Sequence, residues 1–279
     1  MKLKIISLSF IISGIICLTG CADKAKIEKN YFKSQKTAST LNLFSPNGKI
    51  NIHGWEKDFI EINATKRTYS LMLPTQDLIK FQSEEINNEF NLNISAADSL
   101  INAEITLDIK VPFILQGLNI LTENAECNID DTFGNVNITG KNSIINGDFK
   151  NTTIKINLIN GIINATFDMT LSTDVILSNE QGETNINIIK TGDKSFISAN
   201  TFSGNINLIL NSSLPYLLVS SASVPHVLEF LTSTPKIFED NDYRLFINNT
   251  SNSTPELQIF LDNESGKTRI NNAFFIDIN

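Results

Sequence analysis

The sequence is short of the residues that catalysis and cross-linking draw on. Its 279 residues include three cysteines, two histidines and one tryptophan. Cys17 and Cys21 sit together near the N-terminus, which leaves Cys127 without a companion in the body of the chain. No disulfide can staple that body, so burial and backbone pairing must hold it. His53 and His226 lie far apart in sequence, without metal-ligand spacing around either. Long helical periodicity is absent; the best short helix candidate, Pro225 to Leu231, reads equally well as a strand. No Lys/Arg cluster offsets the net charge of −8, which excludes a nucleic-acid surface and a body that binds anionic lipid. No phosphate-cradling glycine loop, nucleophile elbow or His-Glu-x-x-His is found.

What the chain has instead is alternation. Leu41, Leu43, Ile50 and Ile52 are separated by polar residues, as are Phe90, Leu92 and Ile94, and Ile105, Leu107, Ile109 and Val111. A period of two means strands with one buried face. Turn signals punctuate them at Asn47-Gly48, Asn146-Gly147, Asn160-Gly161, Gln181-Gly182 and Ser203-Gly204.

A repeat emerges from the turns. Gly48-Lys-Ile-Asn-Ile returns as Gly134-Asn-Val-Asn-Ile, Gly161-Ile-Ile-Asn-Ala, Gly182-Glu-Thr-Asn-Ile and Gly204-Asn-Ile-Asn-Leu, with Gly266-Lys-Thr-Arg-Ile as a worn copy. Gly48, Gly134, Gly161, Gly182 and Gly204 are expected at structural turns, where glycine tolerates positive φ. The apolar residues after each face inward and the asparagine between them faces out. Spacings near 20 residues predict an all-β, right-handed, single-stranded β-solenoid with antiparallel strands at its N-terminal end. A sandwich of hairpins is the alternative, because the glycine spacing is uneven.

The N-terminus carries a separate signal. Met1-Lys2-Leu3-Lys4 is followed by an apolar run, Ile5 to Leu18, too short to span a bilayer as a mature helix. Leu18-Thr19-Gly20-Cys21 resembles the lipobox of bacterial lipoproteins. That resemblance implies a signal peptide over 1–20, diacylglycerol on the Cys21 thiol and acylation of its amine. Two or more chains hold a protein stably on a membrane, whereas one does not. Ala22, not Asp, follows the cysteine, which in two-membrane bacteria implies the outer membrane. Residues 21–38 are expected to be a flexible tether, and 39–279 the β-repeat domain.

A second resemblance covers roughly residues 40 to 210. Ser45-Pro-Asn-Gly-Lys-Ile-Asn-Ile-His-Gly-Trp55 and the strand that ends near Lys66, then Lys110-Val111-Pro112 and the coils from Leu118, resemble the bacterial putative-adhesin family of DUF4097 β-strand repeat proteins. The family implies an elongated β-rich fold. Pro215, Pro225 and Pro235 depart from its pattern after Leu210.

Site candidates are few. Cys21 is the expected lipidation site, and its partner is membrane lipid. Trp55 is a candidate binding residue that could stack on a sugar or cap the first coil. Asp130, Asp131 and Asp148 are the only acidic residues inside the repeat with a conceivable glycosidase role. Glu239-Asp-Asn-Asp242 lacks the glycine and distal glutamate of a calcium loop. Cys127 lies among acidic residues and reads as a packing residue. No cofactor or metal is expected. The expected function is a non-enzymatic, lipid-anchored surface, adhesion or envelope-structural module, with a glycan or an envelope protein as partner. The alternative is a lipoprotein that binds or processes polysaccharide.

Overall fold

A computed structural model describes residues 26–34, 38–69, 79–96, 102–113, 115–191, 194–211, 216–222, 224, 227–230, 236–239, 244–248 and 257–273. All regular structure among them is β. The strands are β1 (Lys26–Lys33), β2 (Thr40–Trp55), β3 (Glu61–Tyr69), β4 (Ile79–Ile86), β5 (Glu89–Ala96) and β6 (Asn102–Pro112). Next come the long β7 (Gly117–Asp168), β8 (Asp174–Lys190) and β9 (Ser195–Asn211). The remainder are β10 (Tyr216–Ala222), β11 (Val227–Phe230), β12 (Lys236–Glu239), β13 (Arg244–Asn248), β14 (Leu257–Ser265) and β15 (Thr268–Ala273).

The body is a stack of parallel coils, as a β-solenoid requires. β2 pairs in parallel with the start of β7, from Thr40↔Gly117 to His53↔Asp130. The end of β7 pairs in parallel with β8, and β8 with β9. β14 and β15 then lie along the two halves of β9. Within β7 the chain passes over itself: Asn137 bonds Asn119 and Asn146 bonds Asn128, each 18 residues back. The later steps are 21 residues, Asn164 to Asn185, and 22, Asn185 to Asn207.

Each coil has two flat faces joined at a sharp corner. In the first full coil Leu118, Ile120 and Thr122 point inward from one face and Cys127 and Ile129 from the other, all at most 3% exposed. Burying each large aliphatic contributes about 1.5–3 kcal/mol. Gly147 breaks the second inward row, and the ring of Phe149 fills the space its Cβ would take. Phe149 stacks in turn on Phe167, centroids 5.8 Å apart.

The corner explains the repeat. Gly161 pairs with Gly182 and Gly182 with Gly204, so three glycines stand one above another. A Cβ on Gly182 would overlap the carbonyl of Gly161, and one on Gly266 would overlap that of Gly204. The buried Asn179 locks the bend from inside, donating to the carbonyls of Gly161 (3.1 Å) and Glu183 (3.2 Å). Lower in the stack, Gly48 pairs with Ala125, whose N–H donates to Ser143 Oγ at 3.4 Å, so alanine and serine hold the corner there.

Two features differ from the sequence reading, and one open alternative is decided. Gly134 belongs to a different bend: it has φ +95, lies against the backbone of Leu115 and Gln116, and leads into the opposite face from the one Gly48 opens. The segment expected as a tether contains β1, which pairs antiparallel with β3 from Lys26↔Thr68 to Lys33↔Glu61. Phe32 packs against the core and Glu28 reaches the buried Lys66 at 2.9 Å, which is why this stretch is ordered despite its lysines. The short segment read as helix or strand is the strand β11, parallel to β15.

Both ends of the stack depart from the coil pattern. At the first end β1, β3 and β6 form an antiparallel layer, and β4 pairs antiparallel with β5. At the other, β10 joins β14 in parallel and then carries the antiparallel pair β13 and β12.

Candidate functional site

Outward positions on a stacked parallel sheet line up in rows, because residues in register on successive coils are about 4.8 Å apart. In this chain three of those rows are asparagine. The longest runs along the second face. Asn51 Nδ2 donates to Asp108 Oδ1 (2.8 Å), Asn128 to Asn51 (3.0 Å) and Asn146 to Asn128 (2.9 Å). Asn164 continues to Asn146 (2.7 Å), Asn185 to Asn164 (2.8 Å) and Asn207 to Asn185 (2.7 Å). Arg269 takes the next position in register.

Every amide in this row points the same way. Its nitrogen end meets the carboxylate of Asp108, and its oxygen end faces the strand that carries Arg269. Aligned dipoles reinforce one another, and a negative group at the donor end and a cation at the acceptor end complement them.

A shorter row on the first face joins Asn91, Asn42, Asn119 and Asn137, with Asn42 also donating to Glu89. A third follows the corner: Asn124 to Asn47 (3.0 Å), Asn142 to Asn124 (2.8 Å) and Asn160 to Asn142 (3.1 Å). Ion pairs cross the same steps. Lys49 meets Glu126 at 3.2 Å, Lys141 meets Glu123 at 3.4 Å and Lys150 meets Asp131 at 2.6 Å. Hydrogen bonds from Asn128 and Lys49 hold the Glu126 carboxyl below its usual range. The bond to Asp131 holds the Lys150 ammonium above its own.

Beside the long row lies a trough of about 400 Å³. One wall is the asparagine row from Asn128 to Asn207. The other is the next outward row, Asp130, Asp148, Thr166 and Asn187, which Ile209 closes at the far end. Backbone of Gly147 and Ala165 forms part of the floor. Short side chains on both walls leave the trough open.

The structure places the sequence candidates as follows. Cys21 and the signal segment lie outside the described residues, as do His226 and residues 240–242. Gly48, Gly161, Gly182 and Gly204 stand at the corner and Gly134 at the second bend. Trp55 ends β2, half-buried, with its Nε1 donating to Phe59 O at 2.9 Å and its ring edge-to-face with Phe59. Lys57 and Lys110 lie over it at 4.6 and 5.2 Å, so cations already occupy the ring.

Asp130 and Asp148 share a wall of the trough, but Asp131 is turned away to Lys150. His53 Nδ1 stands 3.6 Å from Asp130 Oδ2, both about half-exposed. No nucleophile is hydrogen-bonded to that pair, and among the described residues no three His, Cys, Asp or Glu side chains gather as a metal set. Cys127 is fully buried, and desolvation, with a smaller push from Glu126, raises its thiol to about 12.

Sequence reading missed Asp108 and Asn119 as members of rows. The signal was present as a constant offset: Asn42–Asn119, Asn47–Asn124 and Asn51–Asn128 are each 77 residues apart. Among the described residues no helix is long and apolar enough to cross a membrane.

No protein-family profile and no characterised protein matches the sequence. Among solved structures, the chain is similar to a putative cell adhesion protein from Clostridium sporogenes. That match has 14% identity and TM-score 0.39, and covers 90% of this chain and 100% of the other. It is also similar to a putative adhesin from Bacteroides fragilis (13% identity, TM-score 0.45, covering 89% and 98%). A putative adhesin from Parabacteroides distasonis gives 7% identity and TM-score 0.41, covering 88% and 98%. These likenesses say nothing about what this chain binds.

Proposed function

We propose that this chain is a non-enzymatic module of the bacterial cell envelope, tethered through lipid on Cys21, that presents a rigid repetitive face to a partner outside the cytoplasm. The role is of the adhesion or envelope-structural kind. The observation that carries this reading is the hydrogen-bonded row from Asn51 to Asn207 on an open, outward face. Such a row fixes polar groups at a constant spacing without needing the partner to order them, and preorganised groups bind at lower entropic cost. Chemistry, by contrast, needs a nucleophile or a pair of carboxylates across a cleft, and the acidic residues here are spread along one wall or tied to Lys150.

The anchoring half rests on Leu18-Thr19-Gly20-Cys21. Cys21→Ser is expected to move the protein from the membrane fraction to the soluble fraction, and a general block of lipoprotein maturation to leave a larger precursor. A Cys21→Ser protein that stays membrane-bound at unchanged size overturns the lipid anchor.

A further inference from the structure

The hydrogen-bond inventory of the long row is uneven. An asparagine amide has two N–H donors and an oxygen with two lone pairs. Asn128 spends both donors, on Asn51 and on Glu126 Oε1 at 3.1 Å. Asn207 does the same with Asn185 and Glu183 Oε1 at 2.9 Å. Between them Asn146, Asn164 and Asn185 each give one N–H to the coil below and accept one from the coil above, leaving one donor and one lone pair unspent. These three rungs form the middle of the trough.

From this inventory we infer that the trough is a binding site for a linear, neutral, hydroxyl-rich glycan lying along the solenoid axis, about one sugar ring per coil. The inference rests on the binding-face reading above and names its ligand class. Four observations point to that class. The unspent groups are donor and acceptor together on each rung, which matches a hydroxyl, itself both. They recur at about 4.8 Å, close to what one ring adds to an extended 1,4-linked chain. Thr166 supplies a further hydroxyl on the opposite wall. At the far end Ile209, 37% exposed, offers an apolar surface for the C–H side of a ring.

Charge decides between glycan types. Asp130 and Asp148 line the trough, Glu126 and Glu183 bracket its middle, and the chain carries −8 overall. A polyuronate would meet like charge at Asp130 and Asp148, which is unfavourable. A peptide strand would find no unpaired backbone, because the trough is on a face and not at an edge. Without an aromatic platform each rung contributes little, so binding must rise with the number of rungs engaged.

The test is calorimetric titration of the full chain in detergent micelles with glucose, cellohexaose, xylohexaose and hexagalacturonate. At least one neutral hexaose is expected to bind saturably, glucose not to, and hexagalacturonate to bind more weakly than that hexaose. Thr166→Arg, which fills the trough, is expected to weaken binding by about tenfold or more, the equivalent of one or two hydrogen bonds. Thr166→Val, nearly isosteric, serves as the second variant with a smaller loss. Asn142→Ala removes a rung of the corner row away from the trough and should leave binding unchanged. Wild-type protein that binds neither neutral hexaose overturns the inference. So does equal binding by both Thr166 variants, equal loss in Asn142→Ala, or preference for hexagalacturonate. Because the titration does not depend on where the chain is anchored, it can fail while the Cys21→Ser result stands, and the reverse.

Discussion

Gly182 rests directly on the carbonyl of Gly161, so closely that neither coil has room for a methyl group between them. Its φ of +130 adds a conformational demand that L side chains meet poorly. Gly182→Ala is therefore expected to cost about 2–4 kcal/mol, strain and overlap together. Gly117→Ala, whose Cβ would meet only the Thr40 side chain at 3.2 Å, should cost less than about 1 kcal/mol. Equilibrium denaturation of the two variants compares them; equal losses would show that the corner tolerates a side chain.

Asn164 both donates and accepts in the long row, in a part-buried setting. Asn164→Ala removes two amide bonds and leaves Asn146 and Asn185 half-satisfied, at an expected cost of about 1–3 kcal/mol. Asn142 makes the same two contacts on the exposed corner, where water replaces them, so Asn142→Ala should cost roughly 0.5 kcal/mol or less. The difference between the two melting curves is the measurement.

Cys127 should be inert while the chain is folded. Burial raises its thiol to about 12, and the thiolate is the reactive form. Maleimide at pH 8 is expected to label it only after denaturation. The same shift predicts a pH dependence. Below about 9, the unfolded value, the thiol is protonated in both states and contributes no slope. Between 9 and about 12 the unfolded chain releases a proton that the folded chain keeps, so stability falls as pH rises. The slope reaches at most about 1.4 kcal/mol per pH unit for each such group. Tyr216, whose phenol burial also raises to about 12, adds the same sign from pH 10. Cys127→Val should flatten the wild-type loss between pH 9 and 10, as read by denaturant midpoints.

Lys66 is almost fully buried, with Glu28 Oε2 at 2.9 Å and the carbonyl of Ile79 at 3.3 Å. Glu28→Gln keeps the shape and removes the counter-charge. With Glu28 partly exposed, the expected loss is about 1–2 kcal/mol, below that of a fully buried pair. No loss of stability on this substitution would mean that the Glu28–Lys66 pair contributes little to the fold.

The parts of this molecule that follow from local pattern were legible in the sequence. Alternation around Ile50, Ile52, Leu107 and Ile109 marks the inward rows, and Asn51, Asn164, Asn185 and Asn207 fall where an outward residue between two inward ones must fall. The 18-residue step was hidden because Ala125 and Ser143 occupy corners that glycine holds elsewhere. Two other glycines, Gly134 and Gly147, do other jobs, one at a second bend and one making room for Phe149. Gly134, Gly147 and Gly161 therefore stand 13 and 14 residues apart where the coil is 18. β1 was read as tether because Lys26, Lys29 and Lys33 dominate its composition, yet lysines on an edge strand are a common guard against further pairing. The trough was not legible at all, since it depends on which amides have already spent their hydrogens.

The constant 77-residue offset between Asn51 and Asn128 has a kinetic side. Every later step closes a loop of 18 to 22 residues before its amides meet, whereas the first must wait for some fourfold more chain. Loop closure costs about 0.6 kcal/mol for each doubling of length, so the first rung starts roughly 1 kcal/mol behind. The middle coils are thus expected to fold first, spreading outward from neighbour to neighbour, with β2 the last floor laid against a stack already standing.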